Sequence, residues 1–265
     1  MSLHFFHVRR VVVGVGIGAF LGLVATAGAQ TYAVPPPAYQ QSGQQQMTAQ
    51  QRAQMLWQSL QASQAQLRNY EWIETVAVSV DGEQKSTTTK RCYFGADGTL
   101  QKVTLGQTTT EGSHLPGVLP IGMRVKRVEA NRKKEMTEFI ESAVALLKDY
   151  LPPDPALVQR SVQSGALGVQ VLDPNSRVQL NFGNYFQPGD NLGADIALPG
   201  NNLLGFAVST YVDTPANPVM LNVTMANLPD GTLYAPYAVM TASSRNLVVT
   251  VSNGGYRPLG QTPSY

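Results

Sequence analysis

The residue types that carry most enzyme chemistry are scarce in this chain of 265 residues, which contains three histidines and one cysteine. His4 and His7 lie in an N-terminal segment that we expect to be removed, so only His114 and Cys92 would remain. A zinc site of histidine and cysteine needs three or four such ligands, and a Ser-His-Asp system needs a histidine beside its nucleophile. The sequence therefore predicts no metal site, no cofactor and no nucleophilic catalytic centre.

The two remaining candidates also have simpler interpretations. A lone cysteine in an exported chain could be reactive or could bridge to another molecule. A small buried apolar side chain is the commoner role, and we expect it for Cys92. His114 lies in a predicted loop, where we expect an ordinary exposed histidine.

Paired carboxylates are the other route to catalysis, and Glu71 and Glu74 are close together in sequence. They lie in a run with a period of two, and an odd separation on a strand points side chains to opposite faces. A hydrolase that uses carboxylates alone would need two of them converging in one cleft with raised pKa values. It remains the least favoured alternative, and we expect a protein that is not an enzyme.

Glu74 is unusual because it shares a strand face with apolar residues. If the turn at Asp81-Gly82 has two loop residues, positions whose numbers sum to 163 lie opposite each other. Arg91 is then the diagonal neighbour of Glu74 and lies beside Trp72. Because a carboxylate on an apolar face needs a partner, we predict that Glu74 and Arg91 form a polar anchor at the mouth of a ligand cavity. The alternative is a structural ion pair with a cation–π contact between Arg91 and Trp72.

A basic segment precedes and enters the second predicted helix. Its six cations, opposed only by Glu129, are Arg124, Lys126, Arg127, Arg132, Lys133 and Lys134. Such a cluster can attract anionic lipid headgroups, at about 1 kcal/mol per charge near the surface. We predict a transient contact with an anionic membrane surface, with a merely solvated segment as the alternative.

Residues 1–29 have the features of a secretory signal peptide. Arg9 and Arg10 precede the uncharged apolar stretch 11–24, and Ala27-Gly28-Ala29 forms a small-x-small cleavage pattern. The sequence thus predicts a periplasmic or secreted protein. Removing the two arginines from 19 basic residues leaves 17, which equals the 17 acidic residues. Since nucleic-acid-binding domains usually carry a basic excess, we expect no nucleic-acid partner.

The rest of the chain divides by composition. Residues 30–47 are rich in Gln and Pro and predict a disordered linker. Residues 48–260 contain the periodic segments and predict a single folded domain. Residues 261–265 form a predicted flexible tail.

Periodicity within the folded domain predicts three helices. The first spans about 49–68, with Thr48 and Gln51 forming a capping box. The second spans about 129–150. The third is short, begins at Pro155 after the N-cap Asp154, and ends at Gly165.

The remaining segments read as strands joined by short turns. The predicted strands are 70–80, 83–94, 99–105, 166–172, 176–183, 193–198, 203–213, 217–228, 232–242 and 245–252. Such short connections are compatible only with antiparallel pairing, and a sheet of nearly ten twisted strands tends to curl. The predicted fold class is therefore α+β, with a curved antiparallel sheet (an incomplete barrel) wrapped over two or three helices.

The apolar face of this sheet is the best candidate for a binding surface. Its predicted ligand-binding residues are Trp72, Val76, Val78, Phe206, Val208, Leu221 and Val223. Any sheet that packs on helices requires the same alternation. Only a gap left by core packing would therefore serve a ligand.

This element order resembles that of the periplasmic lipoprotein-carrier proteins and of the related domain of envelope-stress regulators. The segments Tyr70-Glu71-Trp72-Ile73-Glu74-Thr75 and Arg91-Cys92-Tyr93-Phe94-Gly95-Ala96-Asp97-Gly98 also look like those of uncharacterised secreted bacterial proteins. The carrier resemblance implies an apolar concavity that binds an acyl chain, either of a lipid or of a lipidated partner. The alternative is a structural or protein-interaction module of the envelope, with a filled core and no ligand.

Overall fold

The computed structural model describes residues 48–109 and 122–260. The predicted signal peptide, linker and tail lie outside these ranges, as does His114. The domain boundaries given above therefore stay predictions.

The described ranges contain three α-helices and ten β-strands. In chain order these are α1 Ala49–Leu67, β1 Tyr70–Val80, β2 Glu83–Phe94, β3 Leu100–Thr109, α2 Gly122–Leu147, α3 Pro155–Gln163, β4 Leu167–Asp173, β5 Arg177–Gly183, β6 Asn191–Ala197, β7 Asn202–Tyr211, β8 Pro218–Asn227, β9 Leu233–Ala242 and β10 Leu247–Pro258. None of the three helices is both long enough and apolar enough to cross a membrane.

Local signals set several of these boundaries. The Thr48 hydroxyl accepts a hydrogen bond from the backbone N–H of Gln51, whose side chain in turn accepts one from the Thr48 N–H. Asp81 and Gly82 both have positive φ, at 54° and 78°. This is the backbone conformation of a tight two-residue hairpin turn.

All ten strands form one antiparallel sheet in the order β3-β2-β1-β10-β9-β8-β7-β6-β5-β4. The N-terminal meander β1–β3 joins the seven C-terminal strands through the pairing of β1 with β10. The sheet is curved and unclosed, with β3 and β4 as its outer strands. The predicted α+β class with an incomplete barrel is therefore confirmed.

The core lies between the helices and one face of the sheet. The apolar side of α2, including Phe139, Ala143 and Leu147, belongs to the same buried cluster as alternate residues of the central strands, such as Val219 and Leu221. One side of the core thus consists of alternate residues along the strands, and the other side consists of residues three or four apart along the helices.

Some predicted boundaries are wrong by several residues. α2 begins at Gly122 rather than near 129, because apolar periodicity marks only the packed part of a helix, whereas Arg, Lys and Ala extend it by propensity. β10 continues to Pro258 rather than stopping near 252. It does so because it still pairs with Tyr70 and Glu71 beyond an irregularity in register.

Candidate ligand cavity

A cavity of about 410 Å³ lies between α1, α3 and the strands β5–β7. Ligand sites in proteins typically have volumes of about 300–1,000 Å³. The described lining residues are Ala53, Gln54, Leu56, Trp57, Leu60, Pro153, Pro155, Val158, Gln159, Val162, Gln163, Phe182, Leu192, Ala194 and Phe206. The cavity can therefore hold a small apolar molecule or a segment of a longer chain.

The lining changes in character from the sheet to the helices. Phe182, Leu192, Ala194 and Phe206 on the strands are buried and apolar. The glutamines that α1 and α3 contribute are exposed. The cavity thus has an apolar floor on the sheet and a neutral polar mouth between the two helices.

Helix α1 forms one wall through a narrow apolar stripe. Leu56 and Leu60 lie one turn apart, both are buried, and Ala53 precedes them by another turn. Trp57 is half-buried and lies beside this stripe. Because residues three and four apart share a helix face, these side chains all reach the cavity.

Helix α3 forms the opposite wall and is fixed at its N-terminus. The Asp154 carboxylate caps the helix by accepting a hydrogen bond from the Ala156 N–H at 2.7 Å. The Asp154 N–H donates to the hydroxyl of Tyr185 at 2.6 Å. Tyr185 is only 1% exposed, so its buried phenol ties the start of α3 to the segment that follows β5.

A buried polar network holds Tyr185 and this segment in place. The Tyr150 hydroxyl donates to the Asp190 carboxylate and lies 2.7 Å from the Thr210 hydroxyl oxygen. The same carboxylate accepts backbone N–H bonds from Tyr185, Phe186 and Gln187 at 2.6, 3.0 and 2.8 Å. Burial raises the pKa of both Tyr150 and Tyr185 above the usual value for a phenol. The network therefore connects the end of α2, the β5–β6 connection and β7 in one structural unit.

The predicted apolar residues occupy the expected face but mostly not the cavity. Phe206 lines it, whereas Val76, Val208, Leu221 and Val223 are buried within the core. Trp72 and Val78 are half-buried. The residues contributed by α1, α3, β5 and β6 were not predicted. The alternation of Val178, Leu180 and Phe182 along β5 is a signal in the sequence that could have identified one of these walls.

The predicted register of the first hairpin is wrong beyond its turn. Val80 does lie opposite Glu83, but a bulge next to Ser79 leaves Lys85 as an extra residue, so Val78 lies opposite Ser86. A shift of one residue moves every later side chain of one strand to the other face.

As a result, Glu74 and Arg91 do not form an anchor together. Glu74 lies opposite Lys90 and is only 3% exposed, and its Oε2 lies 2.5 Å from the Nζ of Lys102. Arg91 lies opposite Ile73 on the other face, where its Nε is 3.9 Å from Glu71 Oε2.

The predicted cation–π contact between Arg91 and Trp72 is also wrong, for the same reason. The Arg91 guanidinium lies over the ring of Tyr93, at 5.2 Å from its centroid. Trp72 instead stacks on Tyr256, with ring centroids 5.5 Å apart and an interplanar angle of 9°. An aromatic cluster of Trp72, Phe94, Tyr234 and Tyr256 thus occupies this end of the core face.

Cys92 is fully buried, which confirms its predicted role as a small apolar side chain. Burial, with a smaller contribution from the nearby Glu74 carboxylate, raises the pKa of its thiol to about 11. At neutral pH the reactive thiolate is therefore scarce. Within residues 48–109 and 122–260, no three side chains of His, Cys, Asp or Glu are grouped so that they could hold a metal ion.

The basic segment belongs entirely to α2 rather than to a loop and a helix start. Arg124, Lys126 and Arg127 lie within the first turns of this helix. Arg132, Lys133 and Lys134 follow and are exposed. Lys134 has an acidic neighbour one turn later, with its Nζ 3.7 Å from the Glu138 carboxylate.

Comparisons with known proteins return only distant likenesses. The chain matches no protein-family model and no curated protein. Among solved structures it is similar to a LolA superfamily protein from Nitrosomonas europaea, at 8% identity over 77% of this chain and 95% of that one, with a TM-score of 0.33. It is also similar to a DUF1329 family protein from Desulfovibrio piger, at 8% identity and the same coverage, with a TM-score of 0.35.

Proposed function

We propose that the protein is a non-enzymatic binding protein that takes up an acyl chain in the cavity between α1, α3 and β5–β7. The chain would belong to a lipid or to a lipidated partner protein. The observation that carries this proposal is the cavity itself, with its volume of about 410 Å³ and its apolar floor. Burying about eight methylenes there would contribute about 6 kcal/mol, at roughly 0.8 kcal/mol each, before the cost of immobilising the ligand.

The way in which the cavity is maintained supports a ligand site. Protein interiors rarely leave voids larger than a water molecule, so a gap of this size needs a structural reason. The part-buried hydrogen bond from the Asp154 N–H to the Tyr185 hydroxyl links the start of α3 to the segment after β5, which favours a fixed separation between this helix and the sheet. Such a link supports the interpretation that the gap belongs to the framework of the protein.

The predicted export places this activity in the periplasm or outside the cell. Acyl chains in an aqueous compartment need a partner that shields them from water. A protein with an apolar cavity of about 410 Å³ is suited to that task.

A plugged variant tests the proposal. Ala194→Phe fills the floor of the cavity, and the matched control Ala207→Phe introduces the same ring on the opposite face of the neighbouring strand. N-phenylnaphthylamine, a neutral apolar dye that fluoresces on leaving water, serves as the probe.

We expect wild type and Ala207→Phe to bind the dye alike, and Ala194→Phe to bind it at least tenfold more weakly while remaining folded by circular dichroism. Native mass spectrometry of protein purified from its host should show a co-purified lipid on wild type and on Ala207→Phe, but not on Ala194→Phe. If Ala194→Phe and Ala207→Phe bind the dye with equal affinity, the cavity is not the binding site.

The exposed cations of α2 support a second proposal, a transient contact with an anionic membrane surface. Arg132, Lys133 and Lys134 are consecutive and exposed to solvent. Each cation near such a surface contributes about 1 kcal/mol. This contact would bring the cavity close to a source of acyl chains without anchoring the protein there.

A further inference from the structure

We infer that the cavity selects acyl chains whose polar end is uncharged, such as an amide, an ester or an alcohol, over free fatty acids. This inference rests on the proposed function and specifies the class of ligand. The apolar floor of the cavity does not distinguish one acyl chain from another by its polar end. The side chains at the mouth do, and the inference follows from their chemistry.

The polar lining of the cavity consists of side-chain amides. Gln54 on α1 and Gln159 and Gln163 on α3 all line it, and all three are exposed on the solvent side. Gln159 and Gln163 are four residues apart and therefore neighbours on one helix face, while Gln54 approaches from the other helix. Each carboxamide offers two N–H donors and one carbonyl acceptor, which complements the carbonyl and N–H of an amide or the carbonyl of an ester.

A carboxylate would find no counter-charge in the same place. Of the lining residues that the structure describes, none carries a charge. Moving a carboxylate out of water costs more free energy than moving an amide or an ester, and no cation in the lining offsets that cost. Asp154, which lies between the lining residues Pro153 and Pro155, adds a negative charge near the mouth and would repel an anion.

Two cations lie near the lining, and neither belongs to it. The Arg52 guanidinium on α1 donates to the side-chain oxygen of Asn201. Arg160 follows Gln159 directly in the last turn of α3, so its side chain leaves the helix about 100° further round. Neither cation is therefore among the groups that line the mouth.

Decanamide and decanoic acid provide a matched test, since they share a chain length and differ in the charge of the polar end. Each would be titrated against wild-type protein loaded with N-phenylnaphthylamine at pH 8. We expect the amide to displace the dye with at least tenfold higher affinity than the acid. The difference in affinity between the two ligands should narrow as the pH falls toward the pKa of the fatty-acid carboxyl, where the acid also becomes neutral.

A charge introduced at the mouth should reverse the preference. Gln159→Lys places an ammonium group where the amide stood, and we expect decanoic acid to gain at least tenfold in affinity at pH 8. The control Gln170→Lys makes the same change of charge on β4, away from the cavity, and should keep the wild-type preference.

The outcomes separate this inference from the proposed function. If both ligands displace the dye equally, or the acid does so better, selectivity for an uncharged end is wrong while acyl binding stands. If neither ligand displaces the dye, the proposed function itself is overturned.

Discussion

Replacing Tyr150 by phenylalanine tests whether the buried polar network really fixes the wall of the cavity. The change removes one hydroxyl and leaves the ring, so no cavity of significant size forms. The lost interactions are the hydrogen bond to the Asp190 carboxylate and the one that the Thr210 hydroxyl donates to the Tyr150 oxygen. Hydrogen bonds to charged groups contribute about 1.5–3 kcal/mol. Because Asp190 keeps three backbone N–H donors and Thr210 keeps the Gln187 amide, we expect a loss of about 2 kcal/mol at pH 7.

The same variant should behave differently at alkaline pH. Burial raises the pKa of Tyr150 in the folded protein, whereas in the unfolded chain it titrates near 10. The stability linked to this shift is fully present below pH 10 and is lost as the pH rises further, because only the unfolded state then releases the proton. The difference in free energy of unfolding between wild type and Tyr150→Phe should therefore shrink by about 1.4 kcal/mol at pH 11.

Urea unfolding followed by circular dichroism and tryptophan fluorescence at pH 7 and pH 11 measures both effects. Tyr237→Phe is the matched control, because its side chain is 44% exposed on the outer face of β9. It should change the free energy of unfolding by less than about 0.5 kcal/mol. The reasoning fails if Tyr150→Phe is as stable as this control at pH 7, or if its deficit at pH 11 is as large as at pH 7.

Three further predictions concern other parts of the molecule. Glu74→Gln removes one partner of the buried pair with Lys102 and should lower the free energy of unfolding by about 3 kcal/mol in urea denaturation. Cys92, whose thiol has its pKa raised to about 11 by burial, should react with a thiol reagent at pH 8 only slowly when native and rapidly in urea. Reversing three exposed cations of α2 should abolish sedimentation with anionic phospholipid vesicles at low salt, each charge contributing about 1 kcal/mol; the residues are Arg132, Lys133 and Lys134.

An exposed ion pair, the denatured protein and uncharged vesicles provide the comparisons for these three experiments. Glu138→Gln breaks an exposed pair and should cost less than about 0.5 kcal/mol; an equal effect of Glu74→Gln would contradict the buried pairing. Equal labelling rates of Cys92 in native and denatured protein would contradict its burial. The electrostatic contact would be contradicted if the charge-reversed protein bound anionic vesicles as strongly as wild type does. It would also be contradicted if wild type bound uncharged vesicles.

The architecture was predictable because local signals agreed with the global pattern. Capping residues such as Thr48 and Asp154 mark helix starts, and Asp81-Gly82 marks a hairpin. The register of that hairpin was not predictable in the same way. β2 is rich in threonine and lysine, so neither of its faces is strongly apolar, and such strands specify register weakly. A single bulge at Lys85 therefore moved Arg91 away from Glu74 without any signal in the composition.

The position of the cavity was beyond sequence reasoning for a different reason. Alternating apolar residues identify which face of the sheet the helices cover. They do not show where the helices and the sheet leave a cavity between them. The position of α3, which forms one wall, is linked to Tyr185 by a hydrogen bond, and Tyr185 is in turn in contact with Asp190 and Tyr150. These residues come from separate connections, and no periodic pattern relates them. Phe206 is the one predicted binding residue that lines the cavity.

The pairing of the first strand with the last one affects the order in which the sheet can form during synthesis. The Asn246 side chain donates to the Asp81 carboxylate at 2.8 Å across 165 positions of sequence, and β1 pairs with β10 along the same seam. Since synthesis proceeds from the N-terminus, β1 has no neighbour on that side until the last strand emerges. An uncovered strand edge is a template for mispairing, so a nascent chain arrested before residue 247 would expose two such edges, on β1 and on β9, both of which pair with β10 in the folded protein.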